Sequence, residues 1–211
     1  MTGPAAVFLA LALAAAVFDW IAVHQQQKTV EYLCKPLTLV LLIACALALD
    51  PDDPAVRAWF VLALVLSLAG DVFLMLPKDL FVFGLGSFLL GHIAYIVGMH
   101  VDGVDGLRLL IGIVIVMVLL AVIGTRILKG VRAGPDPGLG GPVVAYMGVI
   151  SAMVASAIGV GQAMMVIGAA LFYASDALIA WNRFVAETRH HDVAIMVTYH
   201  LAQAALVLSL L

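Results

Sequence analysis

Eight apolar runs, each about as long as a bilayer is thick, dominate this chain. They cover Pro4–Val23, Leu33–Leu49, Val56–Leu76, Leu80–Met99, Leu107–Leu128, Pro142–Gly159, Gly161–Trp181 and Val193–Leu211. About twenty apolar residues suffice for a helix to cross the hydrocarbon core. Short links rich in Pro, Gly and Asp separate the runs, among them Asp50-Pro51, Pro77-Lys78-Asp79 and Gly134-Pro135-Asp136-Pro137. Of the 211 residues 65% are hydrophobic and 11% charged, against about 45–50% and about 25% in an ordinary soluble domain. The expectation is an all-α polytopic membrane protein, one domain over residues 1–211, with eight transmembrane helices. The first run lacks the positive flank of a signal peptide and carries Asp19, so it reads as a retained span.

The net charge of -3 gives no sign of a nucleic-acid partner. Cys34 and Cys45 share one run and cannot bridge each other. Lysines and arginines divide unevenly between the two sides. Lys28, Lys35, Lys78, Arg126, Lys129, Arg132, Arg183 and Arg189 fall on one; Arg57 and Arg108 fall on the other. The positive-inside rule places the first set in the cytoplasm and both termini outside, in an inner (plasma) membrane.

Charged and polar residues inside such runs are costly and mark functional sites by default. Asp71 and Asp176 lie in the third and seventh runs, His92 in the fourth, and Tyr199, His200 and Gln203 in the eighth. Lys35-Pro36 opens the second, the proline fitting a first helical turn. Counted at about 1.5 Å per residue, most of these sit roughly 5–15 Å below one surface. They point to a single cavity open to the cytoplasmic leaflet. The aspartates are 105 residues apart and the histidines 108, which suggests a parallel repeat of two four-helix halves that sets Asp71 opposite Asp176.

Two carboxylates in a low-dielectric cavity divide into an acid and a base. The bland alternative is that each locks helices together through a lysine or histidine. Asp71, His92, Asp176 and His200 also suit a zinc ion by residue type, though no HExxH-like spacing supports one. Lys35 either snorkels to the headgroups or binds a lipid phosphate. Gly84, Gly86 and Gly91 read as helix-packing residues, and Phe83, Phe88, Phe172 and Tyr173 as core or acyl-chain lining. His190 and His191 read as a solvated loop.

The ordered series Lys35-Pro36, Ser67-x-x-Gly70-Asp71, Phe83-Gly84-x-Gly86-x-Phe88-x-x-x-His92-x-x-Tyr95, Tyr146 with Met153, Gly168-Ala169-x-x-Phe172-x-x-Ser175-Asp176 and Tyr199-x-x-Ala202-Gln203 resembles the YhhN-like lysoplasmalogenase family. That resemblance implies hydrolysis of the vinyl-ether bond of lysoplasmalogens to a fatty aldehyde and a glycerophospho-base, with no cofactor. A tyrosine is common in the family where His200 stands here. The chemistry needs an acid to protonate the alkene carbon and a carboxylate to stabilise the cation and activate water. Asp71 and Asp176 can each take either role, and His92 completes the catalytic set. Lys35, Tyr95, Tyr146, Ser175, Tyr199, His200 and Gln203 are the substrate-binding candidates. A small lipid-binding protein or transporter using the same cavity without cleavage is the alternative.

Overall fold

The computed structural model describes residues 1–78, 80–187 and 191–211. Asp79, Arg189 and His190, which the sequence placed in links, lie outside the described residues. The described residues form no strand. Their long helices are α1 (Gly3–His24), α2 (Lys28–Ala48), α3 (Pro54–Met75), α4 (Phe81–Asp102), α5 (Gly106–Ala133), α6 (Gly140–Val160), α7 (Ala163–Phe184) and α8 (His191–Leu208). All eight are long and apolar enough to cross a membrane.

Their ends follow ordinary capping chemistry. Thr2 and Asp53 accept hydrogen bonds from Ala5 and Ala55 at the starts of α1 and α3. The tight link between α6 and α7 is made by Gly161 at φ +80, a left-handed position that favours glycine, and by Gln162, whose side chain caps Met165. Gly161 therefore ends one helix and does not open the next.

Two helices run five residues past one end of their apolar runs. α2 begins at Lys28 rather than Leu33, because Lys28 and Glu31 pair at 2.8 Å across its first turn. Pro36 thus sits inside the helix, beyond the first turn. α5 continues past Leu128 to Ala133 through a π-turn at Leu120–Gly124. Its basic end approaches α7 so closely that Gly130 lies directly on the Phe184 carbonyl, with no space for a Cβ. His191 is the first residue of α8, not a loop residue, and Asp192 beside it suits a helix N-terminus.

Packing orders seven helices into a closed ring: α1, α2, α3, α4, α6, α7, α8 and back to α1. α5 stands outside, packed mainly on α6, with little of its length buried. Phe60, Tyr95, Met153, Phe172 and Leu206 are fully buried inside the ring. α3 and α4 approach closely at Gly70, where an added Cβ would lie 2.6 Å from the Phe88 ring. Gly86 has no neighbour within 4 Å, so it is not a packing glycine, and Phe83 is 64% exposed on the outer surface.

Candidate active site

Six of the seven ring helices contribute polar side chains to two clusters in the interior. In the first, Lys35 Nζ on α2 lies 3.2 Å from Asp71 Oδ1 on α3, and the Tyr199 hydroxyl on α8 donates to Asp71 Oδ2 at 2.7 Å. Lys35 is only 6% exposed, so it does not snorkel to the headgroups. In the second, the Tyr146 hydroxyl on α6 donates to Asp176 Oδ2 on α7 at 2.6 Å. His92 Nε2 on α4 lies 3.1 Å from the same oxygen and 2.9 Å from the Tyr146 oxygen. A neutral His92 with its proton on Nε2 fits this pattern, leaving Nδ1 as a bare acceptor.

Aromatic rings join the clusters. Phe172 packs edge-on against His92 at 4.7 Å and against Tyr199 at 5.4 Å, and Phe88 completes the wall at 5.8 Å from Tyr199. The carboxylates therefore do not share a hydrogen bond, although their charges are close enough to interact. Asp71 draws its partners from α2 and α8, Asp176 from α6 and α4. These are corresponding helices if α1–α4 repeats as α5–α8. Tyr95 and Gln203, also 108 residues apart, bond to each other at 2.6 Å, one turn beyond the two histidines. α5 breaks the correspondence, since its counterpart α1 lies within the ring.

Two cavities reach this centre. A polar vestibule of about 720 Å³ opens at the end where Lys28, Glu31, Arg183, Glu187 and Asp192 gather, and it reaches down to Lys35. Beside it runs an apolar pocket toward α5, lined by residues such as Leu85, Ile127, Ile150 and Tyr173, with Asp176 and Tyr146 as its polar members. Its free interior is about 60 Å³, space for about two water molecules. Leu74, Phe81 and Ile179 line both spaces and form the partition between them. The Arg183 guanidinium lies over the Phe81 ring at 3.8 Å.

Other expected site residues are placed elsewhere. Ser175 is buried and donates to the Ile195 carbonyl at 3.2 Å, so it ties α7 to α8 and does not line the pocket. His200 accepts a hydrogen bond from Trp20 Nε1 at 3.1 Å and stacks on that ring, away from His92 and Asp176. The four residues considered as a zinc set are thus divided, and among the described residues no three His, Cys, Asp or Glu side chains converge. Tyr95 donates its hydroxyl to Gln203 Oε1, while Gln203 Nε2 is buried without a hydrogen-bond partner. The sequence reading passed over Trp20, Phe81 and Arg183, which lie near span ends and carry no helical-face pattern.

Residues 30–210 match the YhhN family. The chain belongs to the YhhN family. Among curated proteins it is 33% identical over 172 residues to a lysoplasmalogenase of Mycobacterium bovis, covering 79% of this chain and 65% of that protein. It is also 33% identical over 150 residues to human lysoplasmalogenase TMEM86B, covering 71% of this chain and 62% of the human protein. The chain thus spans just under two thirds of the length of these relatives. No solved structure matches it.

Proposed function

We propose that this YhhN-family chain is a membrane hydrolase that cleaves the vinyl-ether bond of lysoplasmalogens. The observation that carries this reading is the arrangement at Asp176. Both of its donors reach Oδ2, and the residue lines an apolar pocket beside a charged vestibule. A lysoplasmalogen has one alkenyl chain and one charged head, joined through the bond to be broken. The head enters the vestibule with its phosphate toward Lys35. The chain lies along the pocket toward α5, and the vinyl ether passes Asp176. Because the free pocket volume is small, the partition formed by Leu74, Phe81 and Ile179 gives way as the chain enters.

Asp176 then acts twice. Its Oδ1 gives a proton to the outer alkene carbon, and the vinyl ether becomes an oxocarbenium ion. The Tyr146 hydroxyl and His92 Nε2–H stabilise the carboxylate so formed. Water adds to the cation and returns a proton to Oδ1, giving a hemiacetal that collapses to aldehyde and glycerol hydroxyl. Asp71, anionic beside Lys35, supplies a second negative charge near the developing cation. This is acid–base catalysis with one carboxyl in both roles, and protons balance over the cycle.

Lys28, Lys35 and Arg183 line the vestibule, and by the order of the spans along the sequence they fall on the side that carries eight of the ten lysines and arginines. By the positive-inside rule the vestibule faces the cytoplasm and both termini lie outside, in the plasma (inner) membrane. The test is direct: purified protein in lipid nanodiscs, given a lysoplasmalogen, releases fatty aldehyde, and Asp176→Asn does not. Tight lipid binding without aldehyde would replace this reading with that of a lipid carrier.

A further inference from the structure

Phe81, the first residue of α4, borders three spaces at once. These are the apolar pocket, the vestibule and a further cleft of about 480 Å³ bounded by the α5–α6 link, residues 135–139. Of the three residues in the partition, Leu74 and Ile179 are aliphatic, while the Phe81 ring carries the Arg183 guanidinium at 3.8 Å. The attraction of a cation for the face of a ring holds that ring in place. Arg183 itself lines both the vestibule and the cleft. It stands seven residues after Asp176 on α7, which is two turns on, on the same face, and about 10 Å along the axis. In a lysoplasmalogen the alkene carbon that takes the proton and the phosphorus are seven bonds apart. At about 1.2 Å per bond in an extended chain that is about 8 Å. An alkene carbon at Asp176 therefore sets the phosphate within reach of the Arg183 side chain.

We propose that Arg183 binds the phosphodiester of the substrate and, by leaving Phe81 to do so, opens the vestibule to the apolar pocket. The identity of the ligand rests on the hydrolase reading. A guanidinium suits a phosphate because its planar fork meets two oxygens at once, in bonds stronger than its hold on a ring. Once released, the Phe81 ring turns away from the pocket into the cleft, which has the volume to take it. The alkenyl chain then passes where the ring stood. With the ring in place the free interior of about 60 Å³ is too small for such a chain. A single-chain lipid without a phosphate meets the same ring and has nothing to draw Arg183 away, so the arrangement selects lysophospholipids over neutral ethers and alcohols. Arg183 touches the substrate; Phe81, which acts through it, is a positioning residue. The phosphate still points toward Lys35, and Lys35 keeps its pair with Asp71, so the charge that Asp71 supplies in the reaction is undisturbed.

The test is a comparison of two ligands that cannot be hydrolysed, bound to the full chain in nanodiscs. One is an alkyl-ether lysophosphatidylethanolamine; the other is the 1-O-alkylglycerol of the same chain length, which lacks the phosphate. The wild type favours the first. In Arg183→Gln the affinity for the lysophospholipid falls about tenfold or more, the loss expected for hydrogen bonds between charged groups. The alkylglycerol instead binds about two- to fivefold more tightly, because the ring is no longer held. Arg183→Lys keeps part of the preference, as a point charge without the fork. Equal changes in the two affinities, or an alkylglycerol affinity that does not rise, overturn the proposal. Should Arg183→Gln not fold, Phe81→Leu is read instead: the alkylglycerol gains affinity and the lysophospholipid loses none, and absence of that gain overturns the proposal. Aldehyde release gives a second reading. Arg183→Gln raises KM about tenfold or more and leaves kcat within about twofold; a lowered kcat at unchanged KM overturns the proposal and leaves the hydrolase reading standing. Absence of aldehyde from the wild type overturns the hydrolase reading, while the two affinities still decide whether Arg183 answers to the phosphate.

Discussion

Asp71 on α3 and Asp176 on α7 each accept a tyrosine hydroxyl, yet they are bound differently. Asp71 has an ammonium on one oxygen and a phenol on the other. Asp176 has an imidazole and a phenol on the same oxygen and lines the pocket. A carboxylate tied at both oxygens fixes charge and geometry; one tied at a single oxygen can exchange a proton with something that enters. In the proposed reaction the reacting role therefore falls to Asp176 and the supporting role to Asp71.

The largest expected effect tests that assignment. Asp176→Asn keeps the shape but removes the exchangeable proton, so aldehyde release falls by roughly 10²–10⁴-fold while the melting temperature in nanodiscs stays near wild type. Asp71→Asn behaves in the opposite way. It leaves Lys35 as a buried cation without its anion, which costs about 3–5 kcal/mol of stability, measurable as a lowered melting temperature. The double change Lys35→Met with Asp71→Leu regains most of that stability and none of the activity. If Asp71→Asn were stable and Asp176→Asn unstable, the assignment would be reversed.

The two tyrosines sharpen the same contrast at smaller scale. Tyr146→Phe removes a donor from the carboxylate that forms at Asp176, and kcat drops about tenfold with KM little changed, a loss of about 1.4 kcal/mol of transition-state stabilisation. Tyr199→Phe removes a donor from a carboxylate that does not exchange with substrate. It lowers stability by about 1 kcal/mol and leaves kcat within about twofold.

The sequence makes the spans legible because lipid imposes one length and one polarity on all of them. It also marks α5, though only by polarity: this is the most apolar of the eight helices and has no polar residue between Arg108 and Thr125, as suits a helix facing lipid outside the ring. Counting apolar runs alone omits that difference. Charged ends were lost for a related reason: Lys28–Glu31 and the basic end of α5 extend their helices by side-chain pairing and amphipathic packing, which a count of apolar residues omits. The depth of Lys35 is hidden for the same reason. Counted from Leu33 it lies at the surface; counted from Lys28 it lies two turns in, where it meets Asp71. The intramembrane aspartates were visible as anomalies of polarity, but which residue each would face depends on helix rotation, which apolar runs do not record.

The smallest expected effect concerns a residue on which sequence and structure part. Ser175 precedes Asp176 and was expected to touch substrate, but its hydroxyl donates to the Ile195 carbonyl and holds α7 against α8. Interhelical hydrogen bonds of this kind in membranes are worth about 0.6 kcal/mol on average. Ser175→Ala therefore lowers stability by about that amount and leaves kcat and KM unchanged, as aldehyde release over a range of substrate concentrations would show. A rise in KM would place the serine back among the substrate contacts. It would also mean that α7 turns on its axis when lipid enters, moving Asp176 with it, and the free Oδ1 would then mark only the resting arrangement.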